Sequence, residues 1–335
     1  MKRLGHLLSE SSVFIAVFIM FSCSRHVDLP VIPAPEHMAV RMGHFRFTED
    51  TVISVENDIQ KTVADRFAWL FAEPAGFVPR VLPGVEDADV RFVTDPDMEE
   101  EAYVVEVSRN EITVTASSIE GFIYALQTIR LSLPGEISSP VYAGDVKWEI
   151  PVMTIRDSPR FHHRCLRLDL DRIAPDDDRI FHILDCMALL KYNYLHLDAG
   201  GYAGSDDLKE ITDYARKLHI KVNQRDKGDK TRFKEYCDDP QWLEPLVSFS
   251  NKSLKDIYYY EPIADGSIDD FHEFLMGLFS ESWINSCSNS EDIDEMLLPR
   301  LAALAEIAWS PKGSKDWARF SSSMNLFASH VSAAF

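Results

Sequence analysis

The chain has 335 residues, with 34 lysines and arginines against 54 aspartates and glutamates, a formal net charge of −20 at pH 7. That length allows two domains with a full core, and a hydrophobic content of 46% excludes global disorder. A surface this acidic repels phosphate backbones, which argues against nucleic acid as a partner.

Lys2 and Arg3 precede an apolar run, Val13–Phe21. The run is far short of the roughly 20 residues a bilayer span needs, but it suits the apolar core of an export signal over residues 1–23. Ser22–Cys23–Ser24 follows directly and resembles a bacterial lipoprotein signal. Cys23 is therefore the expected lipidation site, with export to the periplasm or outer membrane and attachment through the lipid. The remaining cysteines, Cys165, Cys186, Cys237 and Cys287, lie far apart without C-x-x-C spacing. That pattern supports neither a zinc site nor a disulfide framework, and buried free thiols are expected. No metal or cofactor is implied.

Residues 24–40 carry Pro30, Pro33 and Pro35 and read as a tether. From 41 to 150 come short β-rich runs: HFRF, TVISV, DVRFVT, YVVEVS and EITVTA. IQKTVADRFAWLFA lies between them, with Val63, Phe67, Leu70 and Phe71 at helical spacing. A second helix, IEGFIYALQTIRLSL, follows the last strand, and together these predict a small α+β domain.

After Pro151 strand and helix alternate. CLRLDL is a strand, Asp176–Asp178 is an acidic helix start, and Ile180, Ile183, Leu184, Met187 and Leu190 form one stripe. YNYLHL is the next strand, Ser205 caps a helix carrying Leu208, Ile211, Ala215 and Leu218, and HIKV is a third strand. This βαβαβ order predicts a parallel sheet. NQRDKGDKTRFKEYCDDPQ is polar, and its RDKGDK is loop-like. Pro299 opens a helix over PRLAALAEIAW, and another helix is expected to start near Ser314.

Several of these segments resemble glycoside hydrolase family 20, the β-N-acetylhexosaminidases. IRDSPRFHHRCLRLDLDR is similar to the entry to that family's barrel, ILDCMALLKYNYLHL to its first helix and second strand, and LLPRLAALAEIAWSP to its last helix. VIPAPE and SSIEGFIYALQTIRLSL resemble the small domain that precedes the barrel. The resemblance implies an α/β fold, a (β/α)8 TIM-barrel-like domain over 151–335 after the α+β domain. It also implies a substrate class of glycans with terminal β-linked N-acetylglucosamine or N-acetylgalactosamine. In the family the substrate's own acetamido oxygen is the nucleophile. An Asp orients that group while the adjacent Glu, in a Gly-Asp-Glu stretch on the fourth strand, protonates the leaving oxygen.

No Gly-Asp-Glu occurs in the chain, nor the Pro-Glu-Ile/Val-Asp/Glu-x-Pro-Gly-His segment expected after HIKV. Residues 156–320 number 165, against the ~250 of a full barrel. The expectation is an incomplete barrel with about three strands deleted and no catalytic residue identified. Likewise NYLHLDAGGYAG reads as a family strand whose continuation has been removed. Surviving pocket positions implied by the resemblance are Arg164, matching the arginine on the sugar's outer hydroxyls, and Tyr236 and Asp238 in YCDDPQ. Trp283, six residues after Gly277, matches a tryptophan of the acetamido cage, but Asn285 stands where the family has a Glu. His196 is expected as a core histidine, and Asp169 and Asp171 share a strand face without a sign of acid–base tuning. Three readings follow: a family glycosidase copy with little or no activity, a non-catalytic sugar-binding protein, or a poorly folding gene remnant.

Overall fold

The computed structural model describes residues 29–171, 178–225, 252–262, 274–278 and 295–332. The first unit is a mixed sheet of β1 (His37–Arg46), β2 (Val52–Val55), β3 (Arg80–Pro83), β4 (Val90–Thr94), β5 (Tyr103–Val107), β6 (Ile112–Ala116) and β7 (Glu149–Asp157). Its order is β1-β7-β5-β6-β4-β2-β3. Tyr103, Val105 and Val107 of β5 and Ile112, Val114 and Ala116 of β6 are buried on alternate positions, as a half-buried strand requires. Helices α1 (Asp58–Trp69), the short α2 (Ala72–Ala75) and α3 (Ile119–Ser132) accompany the sheet. Asn57 and Ser118 cap α1 and α3 by accepting from Gln60 N and Gly121 N. A Cβ on Gly121 would lie 2.5 Å from the Ala102 carbonyl oxygen, so only glycine lets α3 close onto the sheet.

Two sequence boundaries shift. The expected division at 150/151 falls inside β7, whose residues Met153–Asp157 pair with β5. The segment expected as a tether is docked instead. Val31 and Ile32 are buried in the barrel's core, Ala34 N donates to Glu306, and Ser310 Oγ donates to Ala34 O. Prolines make this strand-like segment poor at ladder pairing, but its apolar residues still seek burial, and the barrel helices supply it.

The second unit is a wholly parallel sheet, β10-β9-β8-β11, of β8 (His163–Asp169), β9 (Tyr194–Asp198), β10 (Lys221–Arg225) and β11 (Phe274–Leu278). Helices α4 (Asp178–Leu189) and α5 (Asp206–Lys217) make the crossovers, and α6 (Leu254–Tyr258), α7 (Leu298–Trp309) and α8 (Trp317–Ser332) follow. Leu166, Leu168, Leu195 and Leu197 share one core with Ile180, Ile183, Leu184 and Met187 of α4, Leu208, Ile211 and Ala215 of α5, and Leu301 of α7. Ser205 caps α5 as expected, accepting from Leu208 N at 3.1 Å. The third strand begins later than HIKV and runs on into the polar NQR, because pairing with β9 continues from Lys221↔Tyr194 to Arg225↔Asp198. α/β layering of this kind is a TIM-barrel-like arrangement preceded by a small α+β domain.

Candidate active site

Residues alternate across a strand. With Leu166, Leu168, Leu195 and Leu197 facing the helices, the opposite face carries His163, Cys165, Arg167 and Asp169 of β8 and Tyr194, His196 and Asp198 of β9. This is the interior face of the barrel sector, and it is polar. Register sets its rungs: Cys165 beside Tyr194, Arg167 beside His196, and Asp169 beside Asp198. In such barrels chemistry sits at the strands' C-terminal ends, which here present Asp169, Asp198 and the turn at Asp171.

That end is tied together tightly. Arg167 Nε donates to Asp198 Oδ2 at 2.7 Å, and Arg167 Nη2 contacts the same oxygen. Asp171 N donates to Asp169 Oδ1 at 3.0 Å, while Gly201 N donates to Asp171 Oδ1 at 2.9 Å. Gly200 has φ of 55°, and a Cβ there would fall 2.1 Å from the Asp171 carboxylate. The glycines of DAGGYAG thus close a short turn from β9 to the Ser205 cap, where the resemblance implies a longer excursion.

Below the rim, His163 Nε2 and His196 Nε2 lie 3.2 Å apart, and the His163 ring stacks on Tyr194 with centroids 3.8 Å apart. Burial pushes His163 down to about 3, helped by His196, Arg164 and Lys221. Burial likewise lowers His196 to about 4, with Arg167 adding and Asp198 opposing. His196 is the core histidine the sequence suggests, but its partner was not foreseen. Among the described residues, burial raises the carboxyls of Asp185 and Glu306. Both sit on helices outside the sheet, so neither is placed to protonate a leaving group in the interior.

Arg164 must be reassigned. It is the second residue of β8, at the barrel's floor, and its parity is that of the helix-facing leucines. Its guanidinium is fully engaged: Nε donates to Lys191 O at 2.8 Å, Nη1 to Phe161 O at 2.7 Å, and Nη2 to Glu101 Oε1 at 2.8 Å and Tyr124 OH at 3.0 Å. Burial raises the Glu101 carboxyl, but Arg164 and bonds from His162 and Tyr124 outweigh it, holding Glu101 below its ordinary value. Arg164 therefore joins the two units and is not a sugar ligand. Beside it Lys191 Nζ donates to Asp157 Oδ2 at 3.1 Å and to Tyr103 OH at 2.8 Å, with both charged groups wholly buried. Trp309 Nε1 donates to the same carboxylate at 2.9 Å. A lysine inside the apolar run LLKYNY was the sequence signal for this network. Tyr236, Asp238, Trp283 and Cys23 lie outside the described residues.

Comparison with known proteins adds the wider frame. Residues 28–158 match Glycosyl hydrolase family 20, domain 2, and residues 231–312 match Glycosyl hydrolase family 20, catalytic domain. A β-hexosaminidase of Vibrio furnissii is 29% identical over 190 residues, covering 55% of this chain and 29% of that protein. One from Porphyromonas gingivalis is 24% identical over 270 residues, covering 75% of this chain and 33% of that protein. The chain thus spans about a third of the length of these curated relatives. The fold is similar to that of Streptomyces plicatus N-acetyl-β-hexosaminidase in complex with Thio-NAglucal, with a TM-score of 0.68 and 18% identity, covering 91% of this chain and 95% of that one.

Proposed function

The chain belongs to glycoside hydrolase family 20, and on that premise we propose that it is a shortened copy of a β-N-acetylhexosaminidase that no longer hydrolyses glycosides efficiently. Its substrate class by descent is terminal β-linked N-acetylglucosamine or N-acetylgalactosamine. One observation carries the reading. β8, β9 and β10 stand in the order of a barrel's first three strands, and β11 pairs directly with β8 as a closing strand would. Everything between β10 and β11 must come from residues 226–273, which are 48 residues. A single strand–helix–strand unit takes ~30 residues or more, so the four strands and helices that a full barrel places there do not all fit. In the family the acid-bearing fourth strand comes in that interval, and the chain has no Gly-Asp-Glu.

Loss of a positioned general acid costs about 10²–10⁴ in rate, and loss of the carboxylate that orients the acetamido group adds to it. The test is hydrolysis of a chromogenic β-N-acetylglucosaminide by purified chain that shows a cooperative melt. The expected kcat/KM is at least ~10²–10⁴ below that of a complete family enzyme. Efficient turnover that disappears in Tyr236→Phe would mean that a working site has been assembled from other residues, and would overturn the proposal. The sugar-binding alternative, which draws on Arg164, Tyr236 and Trp283, is left with Tyr236 and Trp283.

A further inference from the structure

We propose that His163, Cys165 and His196 form a binding site for a borderline divalent transition-metal ion of the zinc(II) or cobalt(II) type, inside the parallel sheet. The three side chains are buried and come from one face of two adjacent strands. Their ligand atoms all lie within 4.8 Å of one another, and the two imidazole nitrogens are 3.2 Å apart. A tetrahedral ion with bonds of ~2.0 Å to nitrogen and ~2.3 Å to sulfur sets its ligand atoms ~3.3–3.6 Å apart. The imidazole pair is already near that spacing, and the thiol sulfur lies within 4.8 Å of both nitrogens, close enough for a small side-chain adjustment to complete the set.

The donor set is selective. Two imidazoles and a thiolate suit zinc, cobalt or copper and not the oxygen-seeking magnesium or calcium. The histidines are held in the neutral form that binds metal, and the stack of His163 on Tyr194 fixes one ring. On binding, the Cys165 S–H bond breaks, its proton leaves to solvent, and the sulfur lone pair forms the bond to the ion, with no change of oxidation state. A fourth position is left for water or another side chain, as in zinc sites with three protein ligands. Cysteine spacing in the sequence could not announce such a site, because its donors sit at 163, 165 and 196 and meet only through the β8–β9 register.

The same 3.2 Å separation is what a plain N–H···N bond between two neutral imidazoles would give, so the experiment must separate the two. Full-length chain, stripped with a chelator, is titrated with cobalt(II) and followed by absorbance. The expected result is one tight equivalent, with visible bands of a tetrahedral ion and a near-ultraviolet thiolate-to-cobalt band that zinc(II) displaces. Cys165→Ser should remove the near-ultraviolet band, and His196→Gln should weaken binding at least tenfold while keeping the band at saturation. Should either variant fold poorly, zinc protection of Cys165 from alkylation, mapped by mass spectrometry in the unaltered chain, reads the same contact. No cobalt band, a band that survives Cys165→Ser and so belongs to Cys23, Cys186, Cys237 or Cys287, or alkylation of Cys165 unaffected by zinc would each overturn the proposal. The result does not depend on whether the chain hydrolyses glycosides.

Discussion

His163 and His196 can share one hydrogen bond only if one nitrogen donates and the other accepts, which requires the accepting ring to be neutral. Burial favours that state and leaves their pKa values near 3 and 4, against 6.5 in the unfolded chain. As pH falls below 6.5 the unfolded chain therefore takes up these protons first, and acid favours unfolding. Stability should be nearly fully present above about pH 7.5 and fall by on the order of 4 kcal/mol by pH 5 as both sites contribute. Urea unfolding at the two pH values, with chelator present, measures the loss. His196→Gln should remove roughly half of it, and a variant with the same pH slope as the parent would show that this pair does not set the slope. The residue type at 196 was legible as a core histidine. Its partner was not, because residues 33 positions apart meet through strand register.

The elements formed where local chemistry demanded them. The Ser205 cap, the Ile180–Met187 stripe and the proline-opened α7 all stand where sequence periodicity put them. β10 shows the opposite case, since polar Asn223 and Gln224 are poor strand signals but are held by the ladder to β9. The proline-rich stretch before β1 is the instructive element. Ile32 is wholly buried against the barrel helices, and backbone groups of Leu29, Val31 and Ala34 bond to Ser323, Arg319 and Glu306 or Ser310. If this segment were a tether, Ile32→Ala would be silent. As a docked strap it should cost about 2–5 kcal/mol in urea unfolding.

For the whole molecule, the contact between the small domain and the barrel floor is built from charge. Arg164 with Glu101 and Lys191 with Asp157 are two ion pairs excluded from water and surrounded by Tyr103, Tyr124 and Trp309. Breaking one partner of such a pair leaves the other uncompensated, at a cost of about 3–5 kcal/mol. Arg164→Met should therefore destabilise the chain by that amount in urea, and Arg164→Lys by less. Unchanged stability in Arg164→Met would contradict the joint. The joint also gives the two units reason to unfold together, because separating them would expose these paired charges and the core around Trp309.

The sequence by itself determined the family likeness, the βαβαβ order, the Ser205 cap and the absence of an acid-bearing Gly-Asp-Glu stretch, since all of these are written in local pattern and short motifs. Only the tertiary structure decided that Arg164 faces the floor, that residues 31–34 are a strap, and that two histidines and a cysteine converge. Strand parity and register, not spacing along the chain, choose which face a side chain occupies and what it meets there.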